Sequence, residues 1–415
     1  MDAQGRDGPI AVVGAGVIGC AVAHALACAG RAVRLIDPEE PGRGGASYGH
    51  AGHLATELVQ PLPSPELLLG FWRELYALGG ALSVPLRRWA AFAPWALRFT
   101  RAAFRRAEHT ALLTPLVRPG TEDTAELLRA VGRMDLLRRN GHHQVWFGPQ
   151  SARRRRDEAS HMAALGVATG PVPREALAAI GAAAGQDLVE GLWFADTASI
   201  VDPLEFCRAL VAAACERGAV VERATVRALT PRDGHIEIAT DAGSLAAPTV
   251  VVCAGAWSSP LLRPFGLRAP LEAARGYHVE MPGAAPLADA PILYVDRHII
   301  VTPMTGRLRA SSFMEFGGPD APPDLRMPAR LRTDLRRLGY DCAPDGAHWV
   351  GPRPVLPDYM PGLGRAPGAP DLYYAIGHQH LGLTMAATTA RAMADLVCGR
   401  TPRPDLAPFD LRRFE

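Results

Sequence analysis

The sequence contains no lysine, and all 44 of its basic residues are arginine. A lysine Schiff base and a lysine general base are therefore excluded as catalytic devices. Cysteine pairs typical of metal or redox sites are missing as well, because none of the seven cysteines lies in a C-x-x-C motif. We therefore expect reduced thiols and a cytoplasmic protein.

Long apolar runs and charge of one sign are also missing. No apolar run approaches the roughly 18 residues of a membrane span, and the N-terminal segment "MDAQGRDGP" lacks an apolar signal core. The formal net charge is only +2, and the arginine run at 153–156 is answered at once by Asp157 and Glu158. We therefore expect neither a membrane-spanning segment nor a nucleic-acid partner.

The length of 415 residues, with 48% hydrophobic residues, favours two domains. Residues 9–37, "PIAVVGAGVIGCAVAHALACAGRAVRLID", have the strand, glycine turn, helix and strand pattern of a βαβ unit. Residues 61–139 have a helical pattern, which we expect to be interrupted at Pro85, Pro94, Pro115 and Pro119. Four strand-like stretches between residues 268 and 348 favour a mostly antiparallel sheet.

These patterns predict an α/β plus α+β fold. A discontinuous Rossmann-like nucleotide domain is expected at 1–60, 196–267 and 349–415. A second, substrate domain, built on the mostly antiparallel sheet, is expected at 61–195 and 268–348.

A glycine fingerprint lies inside the predicted βαβ unit. Gly14, Gly16 and Gly19 form G-x-G-x-x-G directly after the strand, where the backbone can approach a pyrophosphate at the helix N-terminus. Asp37, at the end of the second strand, is placed to accept hydrogen bonds from a ribose. One fingerprint indicates one dinucleotide, and the residues alone leave open whether it is a nicotinamide carrier or a resident flavin.

The stretch "GASYGHAGHL" at 45–54 carries two histidines, His50 and His53, among small residues. A metal site, a catalytic base and a loop lying flat against a planar ligand are the alternatives. No metal is predicted, because the pair lacks a third ligand at a credible spacing in the sequence.

Four stretches in this order resemble a known family. They are "VVGAGVIG" at 12–19, "GASYGHAGHL" at 45–54, "WVGPRPVLPDYMPGLG" at 349–364 and "YAIGHQHLGLTMAATTA" at 374–390. The sequence resembles the flavin-dependent amine oxidoreductases that include D-amino acid dehydrogenase, D-amino acid oxidase and glycine oxidase. It is similar to the D-amino acid dehydrogenases that consist of a single polypeptide, and "GHQHLGLT" is similar to members that act on D-proline or hydroxy-D-proline.

The resemblance implies FAD, with the histidine loop beneath the flavin ring and the "GHQHLGLT" helix N-terminus beside its N1 and O2 edge. Noncovalent binding is expected, because the histidine that carries covalent flavin in related enzymes falls where this chain has Gly49. The cofactor residues implied are Gly14, Gly16, Val17, Ile18, Gly19, Asp37, Ser47, Ala51, Gly52, Val226, Ala254, Gly255, Trp257, Gly351, His378, Gly382, Leu383 and Thr384.

The resemblance also implies substrate residues. Arg353 matches the position that binds the substrate carboxylate, with a turn-pinning ion pair to Asp358 as the alternative. His50, where the dehydrogenases usually have asparagine, is expected to contact substrate, and His53 to be structural. Tyr277 and His380 either line the pocket or are packed sheet residues.

The implied reaction is oxidation of a D-amino acid by hydride transfer from the α-carbon to flavin N5. Several related oxidases use a lysine near the flavin to assist attack by dioxygen, so a lysine-free protein favours a quinone or another carrier as acceptor. The stretch "PLRRWAAFAPWALRFTRAAFRR" at 85–106 suggests peripheral contact with the inner face of the cell membrane, with packing into the second domain as the alternative.

Two other functions remain open. One is an oxygen-using oxidase of glycine or an N-methylated amino acid, and the other is a flavoprotein subunit that needs partner chains. The sequence leaves the amino acid side chain open and does not decide between monomer and dimer.

Overall fold

A computed structural model of the protein describes residues 8–343, 346–369 and 371–415. The helices are α1 (Val17–Cys28), α2 (Gly45–Tyr48), α3 (Pro65–Glu74), α4 (Trp89–Ala103), α5 (Arg106–Val117), α6 (Gly120–Ala130), α7 (Ser151–Ala164), α8 (Arg174–Ala184), α9 (Pro203–Cys215), α10 (Ser258–Leu262), α11 (Arg326–Arg337) and α12 (Gly382–Val397). The strands are β1 (Ile10–Val13), β2 (Val33–Asp37), β3 (His53–Leu54), β4 (Leu82–Ser83), β5 (Leu137–Arg138), β6 (His142–Phe147), β7 (Gly170–Pro171), β8 (Val189–Phe194), β9 (Ala198–Ile200), β10 (Val220–Arg223), β11 (Val226–Arg232), β12 (His235–Thr240), β13 (Gly243–Ala247), β14 (Thr249–Val252), β15 (Glu272–Pro282), β16 (Ile292–Tyr294), β17 (Ile299–Met304), β18 (Arg307–Glu315), β19 (His348–Val355), β20 (Gly362–Arg365) and β21 (Leu372–Ile376).

One sheet of six strands has the order β10-β2-β1-β14-β21-β20. Its first five strands are parallel, and β20 closes the edge antiparallel to β21. Along β1, Ile10 and Val12 pack into one core and Ala11 and Val13 into another, so both faces of the strand are buried. This is the burial expected of a parallel sheet covered on both sides. The predicted Rossmann-like α/β unit is confirmed.

Helix α1 packs against α9 and α12 on one side of this sheet. It is made mostly of alanine and other small or aliphatic residues, and ten of its twelve residues are buried. Small side chains let helices and strands approach closely, which holds the N-terminus of α1 near the carboxyl ends of the strands.

The second large sheet has the path β19-β15-β18-β17-β16-β6-β8-β7, with β4 on β18. All of its pairs are antiparallel except β16 with β6 and β18 with β4. The mostly antiparallel sheet predicted between residues 268 and 348 is therefore confirmed. Strand β19 aligns Arg353 with Ala274 and Gly351 with Gly276 of β15. The predicted domain boundaries themselves stay a prediction.

Two of the four predicted helix interruptions are wrong. Pro94 lies inside α4 and Pro115 inside α5. A proline inside a helix removes one backbone hydrogen bond but does not forbid the helix when tertiary packing holds it. Here Phe92 and Trp95, either side of Pro94, are buried against Phe316 and Tyr359, and the Trp95 indole donates to the carbonyl of Val355 at 3.3 Å.

The stretch at 85–106 therefore packs part of its aromatic side into the core, as its alternative interpretation expects. Leu86, Trp89, Leu97 and Phe104 remain exposed. Among the described residues, no helix is long and apolar enough to cross a bilayer.

Candidate functional site

A cavity of about 530 Å³ lies at the carboxyl ends of the six-stranded sheet. This edge is where parallel α/β sheets bind ligands. The predicted cofactor residues that line it are Gly14, Gly16, Val17, Ile18, Asp37, Ser47, Val226, Ala254, Gly255, Trp257, His378 and Gly382.

The other predicted cofactor residues lie elsewhere. Ala51 and Gly351 line a second cavity, and Gly19 packs beneath the turn. Gly52, Leu383 and Thr384 do not line this cavity, and Thr384 uses its hydroxyl to accept the N–H of Ala55 at 3.0 Å.

The glycine turn fits a dinucleotide. Gly14 has a φ of 103°, and a Cβ there would lie 2.5 Å from the carbonyl oxygen of Cys253. A Cβ on Gly19 would lie 1.8 Å from the carbonyl oxygen of Gly14. Gly16 precedes α1 in extended conformation, and because it has no side chain its backbone can approach a pyrophosphate, while the next N–H, from Val17, is accepted by Ser47 Oγ at 2.9 Å. The residues present therefore fit the dinucleotide.

Asp37 lines this cavity and also accepts hydrogen bonds from two backbone N–H groups. Its Oδ2 accepts the N–H of Ala15 at 2.6 Å, and its Oδ1 accepts the N–H of Glu39 at 2.9 Å. The carboxylate therefore ties the glycine turn to β2. Glu39 lines the same cavity at its exposed end and was not among the residues predicted from the sequence. The one sequence feature that could have indicated it is a second carboxylate just after β2, two residues beyond Asp37.

The N-terminus of α12 faces the same cavity through Gly382 and the preceding His378. Burial lowers the pKa of His378 to about 3, so its imidazole is neutral and pairs with the hydroxyl of Thr389 at 3.2 Å. A sixteen-residue helix starting at Gly382 provides positive potential and free N–H groups without a side-chain cap. This arrangement suits an electron-rich ring edge.

A second cavity of about 680 Å³ adjoins the first, and Ala46 and His50 line both. All four predicted catalytic residues, Arg353, His50, Tyr277 and His380, line this second cavity. Most of its remaining wall is apolar, from Leu58, Leu62, Leu67, Leu68, Phe71, Trp89, Phe92, Trp95, Phe99, Phe313 and Phe316. The two cavities together can place the redox-active ring of a dinucleotide cofactor beside a small organic substrate.

Arg353 reaches this cavity from β19. Its guanidinium lies over Gly276, where a Cβ would come within 1.9 Å of Nη2, and Nη1 donates to the carbonyl of Phe313 at 2.9 Å. Burial lowers its pKa. The alternative pairing with Asp358 is wrong, because Asp358 accepts from Arg413 at 2.6 Å. In the described part of the protein, no carboxylate forms an ion pair with Arg353.

His50 has both ring nitrogens engaged by the backbone. Nδ1 accepts the N–H of Gly52 at 3.1 Å, so the proton lies on Nε2, which donates to the carbonyl of His380 at 3.1 Å. Burial is the main cause that lowers its pKa to about 3. Of the alternatives for residues 45–54, a catalytic base at His50 therefore disagrees with this geometry, and its expected contact with substrate stays a prediction.

The hydroxyl of Tyr277 is bonded by other protein groups. The hydroxyl donates to Glu315 at 2.5 Å and accepts the N–H of Asp324 at 2.9 Å, beside the buried Arg275–Glu315 ion pair. His380 lines the cavity, and burial together with Arg353 lowers its pKa to about 4. Tyr277 thus has the bonding of a packed sheet residue, whereas His380 presents a neutral imidazole.

Gly49, next to His50, has no room for a side chain. A Cβ there would lie 2.3 Å from Cδ1 of Trp349 and 2.9 Å from Nδ1 of His278. Residues 45–48 form the short helix α2 rather than a loop, and Ser47 Oγ accepts the N–H of Val17 at 2.9 Å. The segment is thus fixed between α1 and β19.

His53 belongs to a buried cluster that was not predicted from the sequence. Its Nε2 lies 3.2 Å from Oε1 of Glu57, and Nε2 of His142 lies 3.7 Å from the same oxygen. All three residues line the second cavity. Residue 142 is too far along the sequence for spacing to have connected it with the other two, and β6 brings it there.

The chain matches the family described as FAD dependent oxidoreductase over residues 9–396. It is 31% identical over 429 residues to a protein of Bradyrhizobium diazoefficiens named D-amino-acid oxidase, covering 98% of each chain. It is 32% identical over 427 residues to a protein of Paramagnetospirillum magneticum named D-amino acid dehydrogenase, again covering 98% of each.

Among solved structures, the fold is similar to that of glycine oxidase from Geobacillus kaustophilus. The TM-score is 0.74 at 22% identity, covering 97% of this chain and 98% of that chain. The L-proline dehydrogenase from P.horikoshii gives 0.70 at 18% identity, covering 98% and 97%. At these identities the likeness shows a shared fold.

Proposed function

The chain belongs to the DAO family of FAD-dependent oxidoreductases, and from that premise we propose that it oxidises a D-amino acid to its imine. Relatives named D-amino acid dehydrogenase and D-amino-acid oxidase support this substrate class. FAD binds in the 530 Å³ cavity, and the amino acid binds in the adjoining 680 Å³ cavity.

The observation that carries the proposal is Arg353. A guanidinium with lowered pKa that bonds one carbonyl has spare donors and an unbalanced positive charge. A carboxylate is the group that a guanidinium fork binds in fixed orientation. We therefore assign to Arg353 the substrate carboxylate, which places the α-carbon near His50 and His380.

The chemistry that FAD supplies when bound is acceptance of a hydride from the α-carbon. The protein's own residues orient the substrate and set the charge around its amine. His50 and His380 are neutral, so neither repels a substrate ammonium nor takes its proton at neutral pH. The amine therefore loses its proton to solvent or to a group other than these two imidazoles.

The cavity is much larger than a proline ring requires. The "GHQHLGLT" stretch suggests a cyclic substrate such as D-proline or cis-4-hydroxy-D-proline. We propose these as members of a wider class of D-amino acid substrates. The apolar walls from Phe71, Trp89 and Phe92 also suit aliphatic and aromatic side chains.

We propose a quinone or another carrier as electron acceptor, because the sequence offers no lysine to assist dioxygen. A second candidate is direct use of dioxygen. It is favoured by the relative named D-amino-acid oxidase, which matches 98% of this chain at 31% identity.

A single assay tests these proposals. The purified protein is assayed with a panel of amino acids that includes glycine, D-proline and D-phenylalanine, with the L-enantiomers as matched controls. Each substrate is tested with an artificial dye as electron acceptor and, separately, with dioxygen from air. Turnover of D-amino acids with dye but not air supports the proposal, and peroxide formation supports the second candidate. A fully FAD-loaded protein that turns over nothing would contradict both and would favour a subunit that needs partner chains.

A further inference from the structure

Three buried side chains form a compact group on the wall of the 680 Å³ cavity, away from the glycine turn. His53 on β3, Glu57 just after it and His142 at the start of β6 place one ligand-type atom each within 4.8 Å of one another. All three are at least nine-tenths buried. Glu57 Oε2, His53 Nδ1 and His142 Nε2 have no hydrogen-bond partner among the residues that the structure describes.

Glu57 differs from the other buried acids in how its charge is balanced. In the described part of the protein, four buried acidic residues pair with arginine: Asp123, Glu315, Asp334 and Asp358. Glu57 has only the two imidazoles beside it. A buried carboxylate needs a counter-charge, because burying an unpaired charge is costly.

His142 is oriented as a lone-pair donor toward this group. The hydroxyl of Thr197 donates to the carbonyl of Phe194 at 3.0 Å, so its oxygen accepts from Nδ1 of His142 at 3.1 Å. Nδ1 therefore carries the proton of the neutral ring, and the lone pair on Nε2 points at Oε1 of Glu57. Two lone pairs facing each other are unfavourable unless a cation lies between them.

We propose that His53, Glu57 and His142 bind one divalent transition-metal ion of the zinc class. Zinc bonds of about 2.1 Å in a tetrahedron place the ligand atoms roughly 3.4 Å apart. The distances of 3.2 and 3.7 Å to Oε1 of Glu57 fall on either side of that value. The bond from His142 Nδ1 to Thr197 is the outer contact that orients a ligating histidine.

The site has three protein ligands and a fourth position open to the cavity. Two neutral imidazoles and one carboxylate leave a net positive charge on the bound ion, so water or an anionic group from the cavity completes the coordination. The inference goes beyond the proposed function and does not depend on it, because metal content and ligation are measured without turnover.

The decisive measurement is made on the FAD-loaded wild-type protein. Bound metal is first removed with a chelator, and the protein is then titrated with zinc chloride. The X-ray absorption spectrum is recorded at the zinc K-edge, where the flavin does not interfere. We expect one ion per chain, with two imidazole nitrogens and two oxygens at about 2.0–2.1 Å. A stoichiometry near zero, or a first shell without imidazole, overturns the proposal.

Variants add a second, independent arm. His142→Gln is expected to weaken zinc binding about 100-fold or more. Removing a group that only hydrogen-bonds a metal ligand already lowers metal affinity by up to about 100-fold, and this variant removes a ligand itself. The matched control is His143→Gln, the next buried histidine on β6, whose side chain points to the opposite face and which should keep full affinity. Equal zinc affinity in a folded His142→Gln variant overturns the assignment, and if that variant does not fold, the absorption spectrum of the wild type still decides.

Discussion

At the scale of single residues, the arginines differ in what balances their charge. Arg275 and Arg413 each bond a buried carboxylate, whereas Arg353, as far as the described residues go, bonds only the carbonyl of Phe313 and lines the second cavity. We propose that the anion that balances the charge of Arg353 is supplied by a ligand rather than by the protein.

Arg353→Leu should remove the carboxylate anchor. We expect kcat/KM for the best D-amino acid to fall by about 100-fold or more, equivalent to roughly 3 kcal/mol, with changes in both kcat and KM. Arg353→Lys should fall less, because it keeps the charge but loses the fork. Steady-state kinetics at equal flavin content check this, and a change under threefold would show that another group binds the carboxylate.

His50 gives the second residue-scale prediction. Because its pKa is about 3 and both nitrogens bond the backbone, it does not titrate between about pH 6 and pH 10. His50→Ala should lower kcat/KM on the order of 10-fold by loosening residues 50–52 while leaving the shape of the pH profile unchanged. A shifted acidic limb in that variant would restore a proton-accepting role for this imidazole.

At the scale of elements, turns and helix ends form the proposed cofactor site. Gly16→Val should abolish FAD retention, since the backbone before α1 can then no longer approach the pyrophosphate. The ratio of flavin to protein absorbance measures it. Gly70→Ala, at a helical position with nothing within 4 Å of the added Cβ, is the control and should bind flavin fully.

Local patterns in the sequence were enough to predict the βαβ unit, the antiparallel strands and most of the dinucleotide cavity. Arg353 was predicted from a motif, but its position over Gly276 beside the second cavity follows only from the β19–β15 pairing. The continuous helix through Pro94 depends on Trp95 and Phe316 packing together, which no local pattern contains. The His53–Glu57–His142 cluster needs three separate segments to meet, so spacing could not reveal it.

At the scale of the whole molecule, burial keeps several histidines neutral. It lowers the pKa values of His50, His278 and His378 from 6.5 to about 3 each. Between these values the unfolded state binds protons that the folded state does not, so stability is lost as the pH falls through this window.

We therefore expect the free energy of unfolding to decrease between about pH 7 and pH 5, by up to about 1.4 kcal/mol per pH unit for each such histidine. Urea unfolding at several pH values measures it. His378→Gln removes one titrating group and should flatten the dependence relative to wild type. Stability that rises on acidification would mean that these imidazoles are charged in the folded protein.

The crowding at Gly49 also limits how this enzyme can be engineered. Tethering the flavin through a histidine at that position would require the indole of Trp349 to be trimmed at the same time, since the two cannot share the space. A library that varies one position at a time would discard both changes. The route to a cofactor that cannot dissociate needs a change at position 49 combined with a smaller side chain at 349 and a displaced His278, whose Nδ1 would lie 2.9 Å from the added Cβ.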